Sequence, residues 1–395
     1  MISDLFIKNL QLQNYKSIRN LDVRFNKGLN IIIGENGAGK TNLLEYVYKC
    51  FSKDFNPFRS QRDNLTKDFS SYTIVLEYTE DEETYTSHFE KMKETRSDDE
   101  DFESFGLLYT TYKNGEKIKS NVDAFKELAT TTKKRLTLIR KLRVHRRIFL
   151  ISFNDPSYLN FISEPNGFVY EETEGSLLAH TPKYSYLLME FESDFEDALA
   201  EYDFDKTVVE EIKAIAIKTF MKILKKLNLI SYLKKFTPIS DVKLNESINI
   251  FTQKKHTIID NVQLVFKVKG NWIPWSYLSD GTKRIFYIIL EAINPEKNFL
   301  LIEEPELGIH PHQLYKLMNF LKEMAEEKQI IITTHSPIAL DVLSPGELDA
   351  IIIAKYTPKG TVLNQLTAQE IKKAKIYIEK TGNLSAYWLH SDLEK

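Results

Sequence analysis

Residues 34–41 read Gly34-Glu35-Asn36-Gly37-Ala38-Gly39-Lys40-Thr41, and no other stretch restricts the fold of this chain as much. The spacing is GxxxxGK[ST] in full. Ahead of it, Leu29-Asn30-Ile31-Ile32-Ile33 is an apolar, β-branched run of the kind buried on both faces of a sheet. Behind it, Leu43, Leu44, Val47 and Phe51 recur at helical spacing. Strand, glycine-rich loop and helix therefore follow one another without a gap. The glycines let the loop wrap so that backbone N–H groups along Asn36, Gly37, Ala38 and Gly39 face phosphate oxygens. The helix start adds its positive dipole end. Lys40 is placed to reach the β- and γ-phosphates of a nucleoside triphosphate, and the Thr41 hydroxyl to ligate Mg²⁺. The plainer alternative is a turn with an exposed lysine; the flanking strand and helix argue against it.

Residues 299–306, Phe299-Leu300-Leu301-Ile302-Glu303-Glu304-Pro305-Glu306, deliver acids at the end of a second buried strand. In open α/β sheets that edge is where ligands bind. Neighbouring strand residues point to opposite faces, so Glu303 and Glu304 cannot do the same job. Glu303 is the metal candidate, directly or through water, being one methylene longer than the usual aspartate. Glu304 is the candidate general base that polarises the attacking water. Two acids that merely solvate a strand end remain the bland reading.

Two further motifs are weaker alone. Residues 278–284, Leu278-Ser279-Asp280-Gly281-Thr282-Lys283-Arg284, read as a helix start with Ser279 as N-cap and as an anion site. Ile330-Ile331-Ile332-Thr333-Thr334-His335 is a strand ending in a histidine that can contact a γ-phosphate and the water.

Composition bounds the rest. The 395 residues, 42% of them apolar and 28% charged, suit a globular chain of two domains or one with an insertion. A net charge of −3 means that any DNA surface is a local patch. Cys50 is the only cysteine, which excludes disulfides within the chain and fits a cytoplasmic protein. No signal peptide or run of about 18 apolar residues is present, so no membrane partner is expected. Residues 72–78 and 84–90 read as a hairpin around 80–83. A polar stretch, 94–135, reads as a surface insertion. Residues 184–235 have helical periodicity, and 246–268 return to strand. The basic stretch 133–147, with Arg143, Arg146 and Arg147, suits nucleic acid, a solvated face, or pairing with the acidic 190–205 segment. His310 and His312 lack an evident third metal ligand.

The four motifs, in this order, resemble ABC-type ATPases of the OLD/RecF/SMC-like group. Asn14-Tyr15-Lys16-Ser17-Ile18, the loop with Asn42-Leu43-Leu44-Glu45, residues 278–284, and Glu303-Glu304-Pro305-Glu306 with His310-Pro311 carry the resemblance, as does the ending Gly382-Asn383-Leu384-Ser385-Ala386-Tyr387-Trp388-Leu389. It covers 1–90 and 262–395. The resemblance implies an α/β P-loop ATPase head with an antiparallel β subdomain and a largely helical insertion. The expected division is 1–93 and 246–395 for the two halves of the head and 94–245 for the insertion. It implies ATP and Mg²⁺ as ligands and ATP hydrolysis as the activity. Asn42 and Lys16 would lie near the nucleotide. Ser279, Asp280 and Gly281 would touch the γ-phosphate held by a second copy, in a head-to-tail dimer or larger homo-oligomer. His335 would be the switch histidine. The glutamine that joins ATP to Mg²⁺ has no clear match, and Gln61 is the candidate. About 60 residues follow His335, too few for a Toprim nuclease, and about 180 residues without heptads stand where SMC proteins carry coiled coils. The chain is thus similar to stand-alone ATPase subunits of bacterial anti-phage systems such as PARIS or Septu, with a separate nuclease or toxin as effector. A RecF-like ATPase that clamps DNA is the alternative.

Overall fold

The computed structural model describes residues 2–51, 71–80, 83–93, 105–121, 148–151, 166–171, 176–179, 186–200, 209–253, 256–295 and 298–391. β1 (Ile2–Tyr15) and β2 (Ile18–Arg24) pair antiparallel. β3 (Leu29–Ile33) is buried along its whole length and leads to α1 (Lys40–Phe51). β4 (Ser71–Glu80) and β5 (Glu83–Lys93) make the hairpin read around 80–83, and β6 (Phe105–Lys113) and β7 (Glu116–Asn121) extend it. β8 (Ile148–Ile151) follows, then β9 (Asn166–Glu171), β10 (Ser176–Ala179), α2 (Tyr186–Ala200), α3 (Val209–Lys226) and α4 (Leu229–Phe236). Next come β11 (Ile239–Leu244), β12 (Asn249–Gln253), β13 (His256–Val262), β14 (Leu264–Val268), β15 (Asn271–Pro274) and α5 (Asp280–Ala292). The chain continues with β16 (Phe299–Glu303), α6 (Pro311–Met324), β17 (Gln329–Thr334), β18 (Ile351–Thr357), β19 (Gly360–Gln365), α7 (Ala368–Thr381) and α8 (Leu384–His390).

These elements fall into two compact units, and the division does not follow chain order. One unit is Met1–Ile151, Pro295–Glu306 and Leu314–Lys395; the other is Ser152–Asn294 and Leu307–Gln313. The 94–245 segment, read as largely helical, contains strands as well as helices. Tyr109, Thr110, Thr111 and Tyr112 in β6 are strong strand formers, and pairing with β5 decides for strand.

The first unit contains two six-stranded sheets. One has the order β2-β1-β4-β5-β6-β7. The other runs β19-β18-β3-β17-β16-β8, parallel apart from β19. β3, β16 and β17 are buried at every position, as a sheet covered on both faces requires. Each fully buried isoleucine there contributes on the order of 2 kcal/mol. Burial along β1 changes phase, from Leu5 and Ile7 to Leu10 and Leu12, because pairing with β4 slips between Ile7 and Asn9. At the slip the buried Gln329 side chain accepts from Ile7 N at 2.9 Å and donates to the Ile7 and Asn26 carbonyls, each at 2.8 Å.

The second unit holds the sheet β10-β9-β13-β12 and the sheet β11-β14-β15. α2 and α3 meet where Phe191, stacked on Phe195 of its own helix, packs edge-on against Phe220. Trp275 is buried among Phe266, Phe286 and Tyr287, which anchors the start of α5. Burial, with Glu291 nearby, pushes the Tyr287 phenol well above its usual range. Among the described residues, no helix is long and apolar enough to cross a membrane.

Candidate functional site

β17 lies between β3 and β16, with Thr334 opposite Ile33 and Thr333 opposite Glu303. Three parallel strands thus end at one edge. They bring together the loop after β3, the acids after β16 and the histidine after β17, at the edge where such sheets bind ligands.

Lys40 is buried, and its Nζ donates to the Gly34 carbonyl at 2.6 Å and the Glu35 carbonyl at 2.9 Å. The ammonium is therefore held inside its own loop. Asn36 and Gly37 are exposed and Ala38 is buried. Gly39 has φ +91°, and a Cβ there would lie 2.2 Å from Thr361 Oγ1 and 2.7 Å from Ser17 Oγ. Those two hydroxyls bond at 2.7 Å, Thr361 N donates to the Ser17 carbonyl at 2.8 Å, and Asn42 Nδ2 donates to Ser17 Oγ at 2.9 Å. Asn42, read as nucleotide-binding, ties the loop helix to the β1–β2 turn. Lys16, in that turn with φ 48°, pairs with Glu45 of α1 and lies 5.6 Å from the Tyr15 ring centre.

The Thr41 hydroxyl bonds to Glu303 Oε1, across 262 positions of sequence. These are hard oxygen donors, side by side, and that chemistry fits Mg²⁺. Among the described residues no group of three His, Cys, Asp or Glu could hold a metal. The two side chains would then leave the remaining coordination to phosphate oxygens and water. Gln61 lies outside the described residues, as does the basic stretch 133–147.

Glu304 adopts φ 43°, an uncommon region for a side chain of this kind, and its N–H donates to the Thr333 carbonyl at 2.8 Å. One Glu304 oxygen is 3.8 Å from His335 Nδ1. Glu306 lies nearer, with Oε1 at 3.1 Å from the same nitrogen. Glu306, Ser17 and Thr361 carry no role in the motif reading. The only signal for Glu306 is a third acid beside two others. Ser17 and Thr361 stand 344 positions apart and give none.

In the second unit, Ser279 caps α5, accepting from Thr282 N at 3.3 Å. The Asp280 side chain is largely exposed and 3.6 Å from Lys283 Nζ. Gly281 packs against the Gly308 carbonyl, 2.3 Å from where a Cβ would stand, so the capped turn lies flush on the 307–313 segment. His310 Nδ1 accepts from His312 N at 3.3 Å, which uses one ring nitrogen locally.

The sequence profile of the family described as "AAA ATPase domain" matches residues 5–339. Septu protein PtuA of Bacillus thuringiensis is 23% identical over 367 residues, spanning 88% of this chain and 76% of that protein. The Retron Vc95 probable ATPase of Vibrio cholerae serotype O1 biovar El Tor is 22% identical over 391 residues, spanning 87% of this chain and 73% of that protein. DNA replication and repair protein RecF of Clostridium botulinum (strain Eklund 17B / Type B) is 36% identical over 73 residues, 18% of this chain and 20% of that one. Among solved structures, the Smc head bound to the C-winged helix domain of ScpA shares the fold, with TM-score 0.55 and 14% identity over 93% of this chain and 99% of that chain.

Proposed function

We propose, for a chain that belongs to the AAA ATPase domain family, that its ATPase works as a nucleotide-gated sensor or scaffold controlling a separate effector in bacterial anti-phage defence. The observation that carries the reading is the meeting, at one sheet edge, of the Lys40 loop, Glu303, Glu304 and His335. Likeness across most of the chain to a Septu protein and a retron ATPase supports the setting.

In this reading Asn36, Gly37, Ala38, Gly39, Lys40, Thr41 and Asn42 form the phosphate cradle. Lys40 leaves its two loop carbonyls for the triphosphate. Bound Mg²⁺, held by Thr41 and Glu303 with Gln61 as a further candidate, would neutralise charge on the β- and γ-phosphates. Glu304 takes the proton of the attacking water, and His335 stands beside the γ-phosphate. Lys16 faces the nucleotide once freed from Glu45. Ser279, Asp280 and Gly281 of a second copy seal the same triphosphate, so ATP favours a head-to-tail assembly. Closure and hydrolysis then set whether a nuclease or toxin partner is engaged.

The test is a size measurement with nucleotide. Glu304→Gln should bind ATP, fail to turn it over, and accumulate a closed dimer. Adding Ser279→Arg should return it to the monomer with ATP still bound. Turnover at the parental rate in Glu304→Gln would remove the base assignment; a dimer untouched by Ser279→Arg would remove the composite site. A RecF-like DNA clamp, which the short RecF match favours, predicts instead that DNA stimulates turnover and that charge reversal at Arg143, Arg146 and Arg147 flattens the salt dependence of binding.

A further inference from the structure

We infer that Glu306 is the positioning residue for His335, holding the imidazole by Nδ1 so that Nε2 is the ring atom left for the nucleotide. The inference rests on the reading of His335 as the group beside the γ-phosphate, and it adds a residue that no motif assigns.

Glu306 stands three residues beyond β16, and its side chain is 8% exposed. One oxygen does most of its work. Oε1 accepts from Thr334 Oγ1 at 2.7 Å and from the His335 backbone N–H at 2.8 Å, and it faces His335 Nδ1 at 3.1 Å. The Thr334 hydroxyl accepts in turn from Ser336 N at 2.9 Å. The turn after β17 is thereby gathered on a single carboxylate oxygen, which holds the backbone of His335 and faces the ring of the same histidine. Glu304, at 3.8 Å from Nδ1, is outside hydrogen-bond range and free for other work.

With Glu306 Oε1 at 3.1 Å, Nδ1 is the ring nitrogen assigned the proton, directed to the carboxylate. Nε2 is then the nitrogen available to a phosphate oxygen or a water. The second Glu306 oxygen supports the assignment. Oε2 is shut off from solvent with no hydrogen-bond partner among the described residues. An acid that only solvated a strand end would keep that oxygen in water.

The experiment is steady-state ATP hydrolysis by the full chain. It uses Glu306→Gln, Glu306→Ala, His335→Ala and the Glu306→Ala/His335→Ala double variant. Glu306→Ala should lower kcat about 10- to 100-fold with KM for ATP unchanged, because the Lys40 loop is untouched. Glu306→Gln still offers an amide oxygen to Nδ1–H and should recover most of the rate. The double variant should be no slower than His335→Ala alone, since two residues acting as one unit do not add. Multiplied losses in the double variant would overturn the inference, as would a Glu306→Ala effect confined to KM or a His335→Ala chain at the parental rate. If Glu306→Ala does not fold, Glu306→Asp, whose shorter side chain withdraws the oxygen from Nδ1, closes the same cycle: it should lower kcat, and that effect must vanish when His335 is gone. Failure of the Glu304 assignment shows separately, as turnover in Glu304→Gln with the Glu306–His335 coupling intact.

Discussion

Gly39 carries two constraints at one atom. Its φ of +91° suits glycine, and Thr361 Oγ1 stands 2.2 Å from where a methyl would go. Gly39→Ala should therefore cost about 3 kcal/mol, from a left-handed penalty of about 1–2 kcal/mol plus overpacking of about 1–3 kcal/mol. It should also lose ATP binding. Adding Thr361→Ala should recover part of the stability, read by chemical denaturation, because it removes the nearest clash and leaves Ser17 Oγ at 2.7 Å and the φ penalty. No recovery would mean that the clash is not what matters. The phosphate loop was legible because its chemistry lies in eight consecutive residues. Thr41 and Glu303 were legible as metal candidates because each sits in its own local motif, but the direct bond between them was not. The Ser17–Thr361 clamp was not, since two hydroxyls far apart in the chain leave no pattern. Glu306 was half legible: its place in an acidic cluster shows, but its hold on His335 depends on how β17 turns after Thr334.

Among the elements, Leu5, Ile7, Leu10 and Leu12 of β1 do not keep a strict alternation along the sequence, and the reason is a bulge rather than weak strand character. The slip between Ile7 and Asn9 shifts the buried face by one residue, and Gln329 of β17 patches the exposed backbone. Gln329→Leu keeps the volume but strips three backbone groups, the two on Ile7 buried, of their partner. It should cost about 3 kcal/mol at unchanged secondary structure; a loss below about 1 kcal/mol in denaturant melts would refute the patch. A second tie is pH-dependent. Burial opposes ionisation of Glu347, yet hydrogen bonds from Lys322 of α6 and from Ser344 outweigh it and hold the carboxyl below its usual 4.5. With the folded value depressed, the contribution is present above the unfolded value and is lost as pH falls through the folded one. Glu347→Gln should therefore melt slightly below the parent at pH 7, by about 0.5 kcal/mol since the pair is part-exposed, and the gap should close on acidification below 4.5. A gap that persists in acid would exclude the carboxylate as its source. The 94–245 segment resisted reading because, among its described residues, polar β-formers come first and amphipathic helices after them, with β11 last, without a motif to set register.

For the whole molecule, the composite-site reading makes a mixing experiment decisive. Lys40→Ala should abolish ATP binding in its own loop, and Ser279→Arg should block sealing of a neighbour's. Neither variant alone should hydrolyse ATP. Mixed in equal amounts, half the dimers would carry one of each chain, and each of these keeps one intact site, so about a quarter of the parental rate should return. No return at any ratio would mean that loop and turn do not serve a common nucleotide across two copies.

The order of strands in the parallel sheet has a consequence for how the polypeptide is made. The sheet neighbours of β3 are β17 and β18, with Leu29 opposite Ile330 and Ile33 opposite Ile353. As the ribosome works from the amino end, the five residues Leu29–Ile33 emerge early and stay unmatched until both late strands have been translated. At about 5–20 residues per second that delay is roughly 15–60 seconds. An unfinished chain thus presents an apolar strand beside an empty glycine loop, the kind of transiently bare surface that is open to aggregation until its partners arrive.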